Sequence, residues 1–390
     1  SWLILFCVLL FIPILYMLAS CTEEHREEEL LQPRRTVLVY MAGDNNLSDE
    51  TYIKADSITA GWHNRRDNLL IYRDARGGKG TPSLMRVVAD DVNPRTEVVK
   101  EYPEDNSAGA EVFSGVVQDA LSLYPAQSYG LLVFSHGTGW LPAGMFTTPR
   151  SVSLRSIMND NDREMELADF AAAIPDHTFS FIVLEACLMS GVEVAYELRN
   201  KADYLVASST EILSPGFSPV YPELINYLFE DDANLKGFIH RYYDYCNALP
   251  DVYRSATLSL IDLRAMDALA EVTRTVFEHT ESKTMETGTV QSFDRGNHKL
   301  FFDFGDYMEQ LNPALYPKVK SALSKAVLYK AATPSFVNVP IVRHSGLAVY
   351  MEQANYPELN RAYHRTAWYG AVSGNADDAE YADERGYMNE

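Results

Sequence analysis

Basic residues are scarce in this 390-residue chain: 33 Lys and Arg stand against 54 Asp and Glu, a formal net charge of −21. Nucleic acid needs cationic patches to offset its phosphates, so this balance argues against that class of partner. Cysteine is rarer still, at positions 7, 21, 187 and 246 only. Two of the four fall in the first 21 residues, which leaves too few beyond them for a disulfide framework. Metal-ligand spacings are missing as well, since no HxH, HExxH or CxxC occurs. Gly77, Gly78 and Gly80 lack the spacing of a dinucleotide or phosphate loop and read as a turn. There is no internal repeat, and no Pro/Ser-rich linker follows residue 35. With 47% hydrophobic and 22% charged residues, what remains has the composition of an ordinary globular protein.

A long apolar run occurs once, at the start. Residues 2–18, WLILFCVLLFIPILYML, carry no charge and stop at Ala19, Ser20 and Cys21. The run is at the lower limit for a membrane span and holds Pro13, so a secretory signal fits it better than a helix that stays in the bilayer. LASC at 18–21 resembles a bacterial lipobox, which implies lipidation of Cys21 and an exported protein anchored at the outer membrane or cell surface. The charged stretch 22–35, TEEHREEELLQPRR, reads as a flexible tether.

From residue 36 short apolar runs alternate with segments of helical spacing. TVLVYMAG (36–43), NLLIYRD (68–74), GLLVFSHG (130–137), FSFIVLEAC (179–187) and DYLVASS (203–209) suit strands covered on both faces, as in a parallel sheet. Helices are expected over 107–124, 165–174 and 189–200, and a hairpin over 83–103. Further on, a strand over 255–263 feeds a helix over 264–281. Residues 299–311 feed another helix over 314–330, and 344–352 reads as a last strand. The expected fold is a three-layer α/β sandwich with a mostly parallel central sheet and a fused C-terminal α/β extension.

Two of these runs finish in residues suited to nucleophilic catalysis, one in Ser135-His136-Gly137 and the other in Glu185-Ala186-Cys187. Ligands bind beyond the carboxyl ends of parallel strands, so neighbouring strands would bring His136 and Cys187 to one edge. A thiolate is a strong nucleophile, and an imidazole beside it can take its proton and later pass one to a leaving amine. The backbone N–H groups of Gly137 and Cys187 could hold the oxyanion of the tetrahedral intermediate. From the residues alone a second reading stands beside this one, in which a strand-end histidine and a buried cysteine simply pack.

VLVYMAGDNNLSD (37–49), SHGTGW (135–140), LEACLMSGVEVAYELRNKADYLVASSTE (184–211) and GLAVYMEQANYPELNRAYHRTAW (346–368) resemble the clostripain family, cysteine endopeptidases of the caspase-like clan. The resemblance runs from about residue 36 to 370 and implies a caspase-like fold with His136 as catalytic histidine and Cys187 as nucleophile. It also implies cleavage after Arg, with Lys as the second choice, through an acidic residue two positions before the cysteine. The family usually has Asp there, and this chain has Glu185. Glu211 is a second candidate for the same pocket. The resemblance further implies self-cleavage in the segment 141–164, where Arg150 and Arg155 are the candidates because Ser follows each. Calcium is associated with clostripain itself. Asp160, Asp162 and Glu164 lack the EF-hand pattern, and no metal or other cofactor is assigned.

The expected organisation is therefore a signal peptide with lipobox (1–21), a tether (22–35), a catalytic core (36–230), a C-terminal subdomain packed on it (231–371) and an acidic tail (372–390). Its expected partners are peptides and proteins with basic residues, and a membrane reached through the lipid. The rival expectation is a catalytically silent surface lipoprotein that binds peptides or host proteins.

Overall fold

The computed structural model describes residues 32–76, 80–143, 157–160, 163–296 and 298–374. The signal segment, Cys21, Arg150, Arg155, Asp162 and nearly all of the tail lie outside the described residues.

The five apolar runs form β1 (Arg35–Gly43), β2 (Asn68–Ala75), β5 (Ser128–Phe134), β8 (Phe179–Glu185) and β9 (Ala202–Ala207). All five are parallel, in the spatial order β9-β8-β5-β1-β2. Antiparallel pairs extend both sides. The hairpin of β3 (Ser83–Val88) and β4 (Arg95–Glu101) adds to β2, and β10 (Thr257–Asp262) with β12 (Val327–Ala332) adds to β9. The result is one nine-stranded sheet to which segments on both sides of residue 230 contribute, while β6 (Met158–Asp160) and β7 (Arg163–Met165) pair antiparallel apart from it.

Alternate residues of each central strand enter two different cores. Val37, Val39, Leu132, Phe134 and Val183 pack under α1 (Ser48–Ala60), α5 (Tyr221–Tyr227) and α6 (Leu235–Asn247). Leu38, Tyr40, Leu131, Val133, Ile182 and Leu184 meet α2 (Ala110–Leu123), α3 (Leu167–Ala172), α4 (Val192–Glu197) and α7 (Met266–Glu278). Burial on both faces is why these strands read as unbroken apolar runs. The three-layer sandwich expected from the alternation is thus the observed fold.

Several local expectations are corrected. The helix expected over 314–330 ends at Ala326, and Val327–Ala332 continues as the strand antiparallel to β10. The strand expected over 344–352 shrinks to Ala348–Val349, paired with β11 (Phe302–Asp303). The helix Ser48–Ala60 was not anticipated. Its buried positions include Ser48, Thr51, Lys54 and Thr59, so the segment carries no apolar stripe to announce a helix. Among the described residues, no helix is long and apolar enough to cross a membrane.

The chain leaves β1 for β2 on one side and later returns to β5 on the other. This order places a topological switch between β1 and β5, where open sheets form their ligand crevice.

Candidate active site

β5 and β8 run in parallel register, with Phe134 opposite Glu185. His136 and Cys187 each lie two residues beyond that last pair, on adjacent strand extensions at the carboxyl edge. Gly137 makes the approach possible. A Cβ there would stand 2.8 Å from the Ala186 Cβ, 3.0 Å from the Met189 Sδ and 3.1 Å from the Cys187 carbonyl oxygen. The glycine of the His-Gly pair therefore has a packing reason of its own.

His136 is half-buried, and its Nε2 lies 2.7 Å from the Asn46 Oδ1. Asn46 follows β1, across the switch point from β5. With the amide oxygen as acceptor, Nε2 carries a proton, and Nδ1 is then the nitrogen that takes one up in the neutral ring. Asn46 belongs to VLVYMAGDNNLSD (37–49), where no local pattern gives it a role, because its partner lies 90 residues away.

The Cys187 thiol is half-buried and rests against the loop that follows β9. The Ile212 N–H donates to its sulfur at 3.4 Å, and the Ile212 carbonyl lies 4.0 Å from it. Burial pushes this thiol up to about 12. The Ile212 N–H and the cation of Arg295 act in the opposite direction, and the carboxylate of Glu211 adds to the rise. With that shift, the Cys187 side chain is a thiol at neutral pH, not a thiolate. The next residue, Leu188, has φ 62°, a left-handed conformation that a branched side chain rarely adopts. It is held there by its N–H to the Thr210 carbonyl at 2.9 Å, and Ser190 is tied likewise to Ser208. Backbone strain of this kind concentrates at functional sites.

Glu185 has a different use from the one expected of it. Strand alternation turns it toward the face of α1 and α5, where its side chain is buried. Lys54 Nζ donates to its Oε1 at 2.6 Å, the Phe217 N–H donates to the same oxygen at 2.7 Å, and the Tyr221 hydroxyl donates to Oε2. Lys54 is fully buried too, and it also donates to the Pro215 carbonyl and Ser218 Oγ at 3.0 and 3.1 Å. A carboxylate matched by an internal ammonium and closed off from solvent is in no position to receive a substrate's guanidinium. Nothing in the sequence marks Lys54, which sits in the unanticipated helix α1, 131 residues from its partner.

Glu211 stands elsewhere. It precedes Ile212, the residue against the Cys187 sulfur, so its backbone runs beside that thiol. Its carboxylate is gripped by Arg295 at both oxygens, through Nε and through Nη2, the latter at 3.0 Å. The Glu211 and Arg295 side chains keep 18% and 34% of their exposure, so this pair is reachable from solvent where the Glu185–Lys54 pair is not. Of the acidic residues weighed against the EF-hand pattern, Asp160 accepts from the N–H of Ser107 and, at 3.0 Å, from its hydroxyl. No group of three or more His, Cys, Asp or Glu among the described residues is placed to hold a metal ion.

Solved structures share this arrangement of elements. An inactive zymogen C11 protease from Parabacteroides distasonis matches with a TM-score of 0.77 at 32% identity, covering 87% of this chain and 98% of that one. A secreted C11 cysteine protease from Bacteroides thetaiotaomicron, in complex with an irreversible peptide inhibitor, matches at 0.75 and 27% identity, over 88% and 100% of the two chains. A structure of a secreted C11 cysteine protease from that organism called "iotapain" matches at 0.75 and 21% identity, over 87% and 99%, a likeness of fold. No curated protein matches. The model of the clostripain family, Peptidase_C11, matches residues 39–369, and the chain accordingly belongs to the clostripain family of cysteine peptidases.

Proposed function

We propose that the chain is a cysteine endopeptidase that cleaves after basic residues, Arg before Lys, with Cys187 as nucleophile and His136 as general acid and base. His136 takes the thiol proton as the Cys187 sulfur bonds to the scissile carbonyl carbon. The N–H groups of Gly137 and Cys187 receive the oxyanion, and His136 returns the proton to the departing amine as the C–N bond breaks. Water, deprotonated by His136, then hydrolyses the thioester and frees the sulfur. The observation that carries the reading is the shared offset of His136 and Cys187 beyond the Phe134–Glu185 register, with the strained Leu188 next to the sulfur. The carboxylate we assign to the substrate's basic side chain is Glu211.

A raised thiol pKa suits a resting form that awaits activation. One relative at 32% identity is an inactive zymogen, and we extend that behaviour to this chain, with cleavage after Arg150 or Arg155 as the trigger. Export and anchoring through Cys21 belong to the same proposal, in keeping with a relative that is secreted.

The test uses the chain from residue 22 onward, with and without Cys187→Ala, on fluorogenic peptides ending in Arg, Lys, Asp or Leu. Each protein is assayed intact and after nicking with trypsin that is then inactivated by a serine-specific reagent. Turnover of the Arg and Lys peptides that is lost in Cys187→Ala is the expected result. Absence of turnover in every form would overturn the peptidase reading, and turnover of Leu or Asp peptides alone would overturn its specificity.

A further inference from the structure

The ion pair between Glu211 and Arg295 joins two parts of the chain 84 residues apart. Both carboxylate oxygens of Glu211 meet guanidinium nitrogens, the fork-to-fork geometry with which proteins bind arginine ligands. The pair sits beside the nucleophile. Ile212, next to Glu211, donates its N–H to the Cys187 sulfur, and Thr210 on the other side accepts from Leu188. The guanidinium is therefore a side chain of the protein itself, held next to the reactive sulfur by the acid assigned above to substrate.

The way Arg295 is delivered permits exchange. The backbone around it is tied down, since Phe293 N–H donates to the Phe301 carbonyl at 2.9 Å. The Asp294 carboxylate accepts from Leu300 and Phe301 at 3.0 and 2.9 Å. The Arg295 side chain, by contrast, is one-third exposed and passes over the edge of the Phe336 ring, 5.9 Å from its centroid. It can swing away by rotating its own bonds, with no strand or helix moving. A partly exposed pair is weak enough to be exchanged for an incoming ligand of the same shape.

We propose that Arg295 is an internal stand-in for the substrate's arginine: it fills the acidic subsite of Glu211 beside Cys187, and a substrate binds by replacing it. The proposal rests on the reading that the enzyme prefers basic residues. It deepens that reading in two ways. The favoured ligand is a guanidinium, whose planar fork matches the one it displaces, more than an ammonium. The resting affinity is also set by competition from within the chain.

The test is binding of N-acetyl-arginine amide, with N-acetyl-citrulline amide as the uncharged control. It is read as protection of Cys187 from iodoacetamide by mass spectrometry of its peptide, each rate taken relative to the same protein without ligand. Arg295→Gln is expected to bind the arginine ligand about tenfold more tightly than the unaltered chain, because no pair has to be broken first. Glu211→Gln is expected to weaken binding, and Arg295→Gln to have no further effect in that background. Arg295→Ala serves as a second variant, and thermal melting of each confirms the fold. If Glu211→Gln weakens binding but neither Arg295 variant strengthens it, Arg295 is no competitor and the proposal fails while the basic preference stands. If arginine and citrulline ligands protect alike, or neither protects even the Arg295 variants, the basic preference fails and the proposal with it.

Discussion

Lys54 and Glu185 bring two opposite charges into a region that excludes water, and each is satisfied only through the other and its neighbours. Removing one partner leaves an uncompensated buried charge. Lys54→Met is thus expected to lower stability by about 3–5 kcal/mol, read as a fall in the urea midpoint. Lys54→Met with Glu185→Gln is expected to recover much of that loss, since the amide oxygen still accepts from Phe217 without carrying charge. A stable Glu185→Gln that loses its discrimination between Arg and Leu peptides would contradict the structural role and return Glu185 to the substrate. A second consequence at this scale concerns Cys187. With burial raising its thiol to about 12, the thiolate fraction of Cys187 is low at neutral pH. Its alkylation by iodoacetamide, read at the Cys187 peptide, is expected to keep rising as pH passes 9, the ordinary thiol value. A plateau below 9 would contradict this.

At the scale of elements, the site depends on how closely the extensions of β5 and β8 approach. Gly137→Ala would put a methyl group within 2.8 Å of the Ala186 Cβ, against backbone and side chains with little room to give. Overpacking of this kind costs roughly 1–3 kcal/mol, but moving His136 relative to Cys187 matters more for the chemistry. The expected outcome is a modest fall in melting temperature together with a loss of roughly a hundredfold in kcat/KM on Arg peptides. Equal turnover would mean that the approach of the two strands does not govern the proposed pairing of His136 with Cys187. The same elements explain what was legible beforehand. Strands covered on both faces must be apolar throughout, so β1, β2, β5, β8 and β9 could be located from composition alone. Helix α1 could not, because it buries polar residues. Val327–Ala332 could not either, because pairing with β10 decides its state and the local pattern continues that of the preceding helix.

For the whole molecule, legibility follows chain distance. His136 and Cys187 each end a recognisable strand, so their placement at one edge of the sheet needed only the assumption of a parallel pair. Asn46, Lys54 and Arg295 find their partners 90, 131 and 84 residues away, through elements whose docking no local pattern encodes. The acidity of the chain also acts at this scale. Burial pushes Asp74, Glu193 and Asp294 each up to about 7, so the folded state keeps protons that the unfolded chain has released. Their contribution to stability is fully present below the ordinary carboxylate range and is lost as pH rises through about 7. Self-repulsion at a net charge of −21 has the same sign. His344 opposes them. Burial pushes it down to about 3, so its contribution is present above its ordinary value of 6.5 and is lost as pH falls through 3. Three carboxylates outweigh one imidazole, and melting temperature is expected to be higher at pH 5 than at pH 8. Glu193 isolates one part of the effect, since it is buried against Tyr350, whose N–H donates to it at 2.8 Å, and a glutamine can still accept that bond. Glu193→Gln should reduce the loss of stability between pH 5 and pH 8 by roughly 2 kcal/mol, measured by urea unfolding at the two values. An unchanged difference would mean that Glu193 is ionised in the folded protein throughout this range.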